Sequence, residues 1–188
     1  MNIVKLLSLI VLILTFTYAC DKHSAKDEIV VYSDFKCPYC KKLDEKILPK
    51  LERDYLSNNK TNYEFKNVAN LGIDSYIGAK AGNAIKLYAP DKYLTFQHNM
   101  FQNQPKNEKL WITNDVINKQ FKKLNLSNKT LKKVKAEYNK TNGKSKKMID
   151  KDIKSAKKQN VETVPTVFIN GEKVKDPYKY KDYQELLN

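Results

Sequence analysis

Arginine is nearly missing from this chain of 188 residues: it occurs once, at Arg53, although Lys and Arg together number 35. Histidine appears only at His23 and His98, and cysteine only at Cys20, Cys37 and Cys40. Each scarcity excludes something. A single Arg and no aromatic-rich stacking motif argue against a nucleic-acid surface, despite a formal net charge of +14. A closed zinc site wants four ligands, and two scattered histidines with one C-x-x-C do not supply them, so no metal is expected. No internal repeat and no long low-complexity linker occur. The one long apolar run, Leu6 to Phe16, is too short for a comfortable membrane span. What remains is a chain that is 41% hydrophobic, enough to fold as a single domain with a core.

The positive charge is concentrated. Between Lys122 and Lys158 fourteen lysines face three acids, Glu137, Asp150 and Asp152. This reads as a solvated helical face, compatible with weak attraction to anionic headgroups or wall polymers. The N-terminus reads as an export signal, residues 1–19: Lys5 is a short basic region, the apolar run follows, and Thr17-Tyr18-Ala19-Cys20 closes it. Cys20 after small Ala19 resembles a bacterial lipoprotein signal, in which that cysteine is lipidated and becomes the mature N-terminus. Thr17 stands where such signals usually carry an aliphatic residue; ordinary cleavage, leaving a soluble secreted protein, is the alternative. Residues 20–27 then form a polar tether. Lipid on Cys20 also resolves an odd cysteine count in an exported protein, leaving the pair Cys37 and Cys40.

That pair lies in Cys37-Pro38-Tyr39-Cys40. Glu28–Ser33 reads as a strand before it, and the residues from Lys41 to about Tyr55 as a helix after it, with Leu43, Ile47, Leu51 and Tyr55 as its apolar stripe. Pro49 should kink or split that helix. A cysteine at a strand-to-helix junction meets unpaired N–H groups and the positive end of the helix dipole, which favour a thiolate. On spacing alone the pair can be redox-active or half of a metal site. A structural disulfide is disfavoured, since so small a loop removes little unfolded-state entropy.

Residues 63–68 alternate as a second strand, expected parallel to the first. Five helices follow, the first over Ser75–Tyr88, and the second with Leu94, His98 and Phe101 on one face. The third is capped by Thr113, the fourth is marked by Leu131, Val134 and Tyr138, and the fifth by Met148, Ile149, Ile153 and Ala156. His98 reads as a satisfied core histidine and Trp111 as core packing. Thr166–Ile169 and Glu172–Val174 read as a hairpin about Asn170-Gly171, and a short helix at about Tyr180–Leu187 ends the chain. The fold class is α/β, with residues 28–72 and 160–188 as one unit and 73–159 as a helical insertion.

The order β-α-β, helices, β-β-α, with C-x-x-C opening the first helix, resembles the thioredoxin fold. Three features carry a closer likeness, to the DsbA family of disulfide oxidoreductases and its Gram-positive lipoprotein members. They are Asp34-Phe35-Lys36-Cys37-Pro38-Tyr39-Cys40, Val164-Pro165-Thr166-Val167-Phe168-Ile169-Asn170-Gly171, and a helical insertion of suitable size between them. The resemblance implies an extracytoplasmic oxidoreductase that donates a disulfide to reduced exported proteins. Cys37 would be the nucleophile, Cys40 the resolving thiol, and Pro38 and Tyr39 the rest of the motif. Val164 and a cis Pro165 would form the loop that meets substrate. It implies no cofactor, no nucleic acid, a monomer without the dimerisation domain of related isomerases, and an unassigned reoxidant. A reductase or isomerase on the same fold is the alternative. Tyr39 stands where many members carry His, and Val31 where one branch carries a buried acid. Glu64 on the second strand is a weak candidate for a redox role.

Overall fold

A computed structural model describes residues 26–57, 61–106 and 109–187; the signal segment, Cys20 and His23 lie outside them. Strand β1 (Asp27–Ser33) runs through the middle of a four-stranded sheet of order β2-β1-β3-β4. It pairs in parallel with β2 (Thr61–Asn67), Asp27 opposite Thr61, and antiparallel with β3 (Thr166–Ile169), Ile29 opposite Ile169. A central strand needs apolar residues on both faces. Ile29 and Val31 point into the main core, and Tyr32 packs with Val68 and Ala156 on the other side.

The chain leaves β1 and enters α1 (Pro38–Lys46) at once. Pro49 cannot donate an N–H, and the helix breaks as expected. The backbone turns at Ile47, resumes as α2 (Leu48–Leu51), and ends in a π-type turn at Glu52–Leu56. After β2 come α3 (Ile73–Tyr88), α4 (Tyr93–Gln102), α5 (Asn114–Lys123), α6 (Asn128–Asn139) and α7 (Lys144–Lys158). Thr113 caps α5 by accepting from the Val116 N–H at 3.3 Å, and Ser127 caps α6 from Thr130 at 3.2 Å. Small residues on α3, including Ala79, Ala81 and Ala84, are fully buried and let α6 and α7 approach. Strand β4 (Glu172–Lys173) and α8 (Tyr180–Gln184) complete the fold. The Asn170-Gly171 turn has φ of 53° and 85°, the two left-handed positions of a type I′ hairpin. None of the described helices is long and apolar enough to cross a membrane.

An aromatic cluster joins sheet and helices. Phe35 stacks on Phe65 at 5.2 Å and meets Phe96 and Phe101 at 5.9 and 5.4 Å. Because Phe35 is two residues before Cys37, this cluster also anchors the approach to the cysteines. Strand β2 forms one edge of the sheet, and the helical block covers it with side chains. Lys86 of α3 donates to the Phe65 carbonyl, and Asp152 of α7 accepts from the Asn67 N–H at 3.2 Å. Backbone groups that would invite another strand are thereby occupied.

One helix presents a different face from the expected one. In α4 the buried residues are Tyr93, Phe96, Gln97, Met100 and Phe101, while Leu94 and His98 lie at the margin. His98 is not a core histidine: its side chain is 42% exposed, with Nδ1 2.9 Å from Asp44 Oδ2. The helix turns this way because Gln97 is drawn inward, donating to Asp44 at 2.8 Å and meeting the Tyr63 hydroxyl. Trp111 packs against the core as a partly buried residue just before α5.

Candidate active site

Cys37 is the N-cap of α1, and Pro38 occupies the first turn, where its missing N–H is no loss. The Cys37 sulfur accepts from the Cys40 N–H at 3.3 Å, so a sulfur takes the place of the usual capping oxygen. Both cysteines are free thiols, 3% and 1% exposed, and Cys37 lines a cleft. Their acidities are driven apart. The Cys37 thiol is held below its ordinary range, first by the Cys40 side chain donating to it, then by the N–H groups of Cys40 and Tyr39; burial and the Asp34 carboxylate act in the opposite direction. Cys40 is pushed well above the usual range, by burial first and then by its hydrogen bond to Cys37.

Val164 lies across from Cys37, and its carbonyl is 3.4 Å from the Cys37 sulfur, which donates to it when protonated. The Val164–Pro165 peptide is cis. The fold thus brings Cys37, Pro38, Tyr39 and Val164 together on one cleft of about 430 Å³. Pro165 lies on an adjoining cleft that shares Tyr39, Thr163 and Val164 with the first. Glu64 is not with them: it lines a separate cavity beneath α7 and pairs with Lys66 at 3.4 Å.

The loop carrying Cys37 is held by residues the motif did not mark as functional. Asp34, fully buried, accepts four hydrogen bonds, from the N–H groups of Lys36, Asn70 and Leu71 at 2.9, 3.0 and 3.2 Å and from the Ser75 hydroxyl at 2.9 Å. Burial raises its carboxyl from the usual range, and those four bonds oppose the rise. Lys36 forms a buried pair with Asp74 at 2.8 Å. It passes over Gly72, whose φ is 128° and where a Cβ would come within 3.1 Å of the ammonium. Asp74 also accepts from the Trp111 and Ile112 N–H groups at 2.9 and 3.2 Å. Burial works against its charge, but Lys36 and these donors keep its carboxyl below the ordinary value. Gln104 donates to the Phe35 carbonyl at 3.0 Å, and the Tyr178 hydroxyl donates to the Tyr39 carbonyl at 3.3 Å. Asp34 stood inside the recognised motif and could have been singled out. Nothing in the local sequence marks Tyr178 or Gln104.

Similarity to known proteins agrees with this geometry. A family model described as Thioredoxin matches residues 19–188. A probable disulfide bond formation protein D of Bacillus cereus is 34% identical over 163 residues, covering 83% of this chain and 73% of the relative. The chain belongs to the DsbA family of thiol:disulfide oxidoreductases. Disulfide bond formation protein D of Bacillus subtilis is 28% identical over 168 residues, covering 88% of this chain and 71% of the relative. The crystal structure of oxidised BdbD from Bacillus subtilis matches with a TM-score of 0.74 at 26% identity, over 87% of this chain and 86% of that one. This DsbA-family chain is therefore an α/β enzyme of thioredoxin-like fold that exchanges thiols and disulfides.

Proposed function

We propose that this DsbA-family enzyme works outside the cytoplasm and donates the Cys37–Cys40 disulfide to reduced exported proteins. One observation supports this most strongly: the sulfur on the cleft is the acidic one, and the sulfur behind it is the buried, weakly acidic one. A substrate thiolate attacks Cys37 Sγ, the Cys37–Cys40 bond breaks, and Cys40 leaves and takes a proton. A second substrate thiolate then attacks the substrate sulfur of the mixed disulfide and displaces Cys37 as a thiolate. Two electrons pass from substrate to enzyme, and the substrate gains one disulfide. The Cys40 S–H donor exists only in the reduced enzyme. Its bond to Cys37 therefore favours the reduced form, which makes the disulfide form an oxidant. The Val164 backbone, beside Cys37, is the edge along which an extended substrate segment would lie.

Lipid on Cys20 would hold the enzyme at the outer face of the membrane, a reading supported by the apolar run and the Ala19-Cys20 junction. The reduction potential, measured against glutathione, tests the direction of exchange. A value well above that of thioredoxin, ~−270 mV, is expected. A value at or below it would assign the enzyme to reduction instead.

A further inference from the structure

We propose that the two clefts meeting at Val164 form one substrate channel of opposite charge at its two ends, and that Lys173 and Lys175 select substrates carrying an acidic residue beside the reacting cysteine. The inference rests on Cys37 being the exchange thiol. The clefts measure about 430 and 440 Å³. On the Cys37 side the lining charges are Lys36 and Glu162. Lys36 is neutralised by Asp74, so exposed Glu162 is the free charge there.

The other cleft runs past Pro165 to β4 and is floored by Tyr39, Pro177 and Tyr178. Its lining charges are Lys173 and Lys175, both exposed and without an ion-pair partner among the described residues. Lys173 ends β4 and Lys175 stands in the bend two residues on; both line this cleft, while Val174 between them is buried. Lys42 adds a third cation, with its ammonium 4.2 Å from the centre of the Tyr178 ring. The acids adjacent in sequence, Glu172 before Lys173 and Asp176 after Lys175, do not line the cleft, and one Asp176 oxygen accepts from the Tyr178 N–H. An extended chain bound along Val164 therefore meets a negative charge on one side of its cysteine and two positive charges on the other. The matching substrate has an Asp or Glu on the Lys173/Lys175 side, set against an apolar or aromatic neighbour.

The test is stopped-flow reduction of the oxidised enzyme by single-cysteine peptides that differ only in a Glu, Gln or Lys next to the cysteine, placed before or after it. The enzyme carries the K173E/K175E pair or is unaltered. Comparing enzymes with the same peptides cancels intrinsic thiol reactivity. The Glu-to-Lys rate ratio should favour Glu by about fivefold to tenfold at low salt, on one side of the cysteine only. It should shrink toward unity at 1 M salt, where the screening length is about 3 Å. In K173E/K175E the ratio should invert. K129E/K133E, with the same change of charge on exposed α6, should leave most of the preference in place. An unchanged ratio in K173E/K175E, an equal shift in K129E/K133E, or equal preference on both sides of the cysteine would overturn the channel reading. The last two results would point to the field of the whole cationic protein. If peptides of every charge failed to reduce the enzyme, the exchange-site reading itself would fall, and this inference with it.

Discussion

The cysteine end of the sheet and its β2 edge both bury charged side chains, and they use them differently. At the cysteine end, Asp34 is surrounded by four donors and Asp74 by a lysine and two N–H groups. These acids fix loops. They bring residues 70–74 and 111–112 against the Cys37 turn. At the β2 edge, Lys86 and Asp152 each hold one backbone group of the strand and form no ion pair within 4 Å of each other. Burial lowers the Lys86 ammonium and raises the Asp152 carboxyl, to about 6. Buried charge that is saturated by donors positions chemistry. Buried charge that is partly satisfied closes an edge and shifts both groups toward their neutral forms.

The largest expected effect separates the two cysteines themselves. Cys37→Ser should abolish oxidation of a reduced, unfolded substrate protein, whereas in Cys40→Ser the Cys37 thiolate should still attack a small disulfide probe, expel its thiol, and remain as a mixed disulfide with no second thiol to release it. Thiolate absorbance against pH should show the Cys37 thiol less acidic in Cys40→Ala, because its main stabilising donor is gone. A Cys37→Ser enzyme of normal rate would end the site assignment.

The next effect tests the saturated acid. Asp34→Ala leaves four donors without their acceptor, and an orphaned buried donor costs roughly 1–3 kcal/mol. A loss of about 3 kcal/mol or more in urea unfolding is expected. A loss under 1 kcal/mol would mean that the loop does not depend on Asp34.

The partly satisfied edge should show as pH dependence. The folded-state Asp152 carboxyl is raised from 3.8 to about 6. A raised acid favours the fold while it is protonated, so its contribution is full below the unfolded value, near 4, and is lost as the pH rises through about 6. Removing that charge in Asp152→Asn should help the variant relative to the parent as pH rises from 4 to 7, by at most ~3 kcal/mol. Urea midpoints of both proteins at the two pH values give the difference. A constant difference would show that Asp152 titrates normally. The smallest effect belongs to Tyr178→Phe, which keeps the ring under Lys42 and removes one hydrogen bond to the Tyr39 carbonyl. Its cost should stay near ~1 kcal/mol in stability, with exchange rates against a model peptide changed little.

These contrasts also mark what the sequence could convey. Strand β1, the Cys37 cap, the break at Pro49 and the Asn170-Gly171 hairpin follow from local rules, and all are legible in order along the chain. The face of α4 was not. Leu94, His98 and Phe101 make an acceptable stripe, but the real one includes Gln97, a polar residue whose burial depends on Asp44 and Tyr63 from other elements. Most of the buried acids were unreadable for the same reason. Asp44, Asp74 and Asp152 look like surface residues until the donors that meet them are placed by the fold, whereas Asp34 is flagged by its place in the motif. The cysteine pair was evident at once; the residues that hold its loop belong to segments as distant as Gln104 and Tyr178.

The contact between Cys37 and the Val164 carbonyl joins positions 127 residues apart. A chain that emerges with its N-terminus first exposes both cysteines long before β3 exists to pair with β1. During that interval the Val164 carbonyl is missing from Cys37, and the cleft beside the sulfur forms only once residues 162–164 have followed. An enzyme that would supply disulfides to others thus carries its reactive pair uncovered through much of its own synthesis.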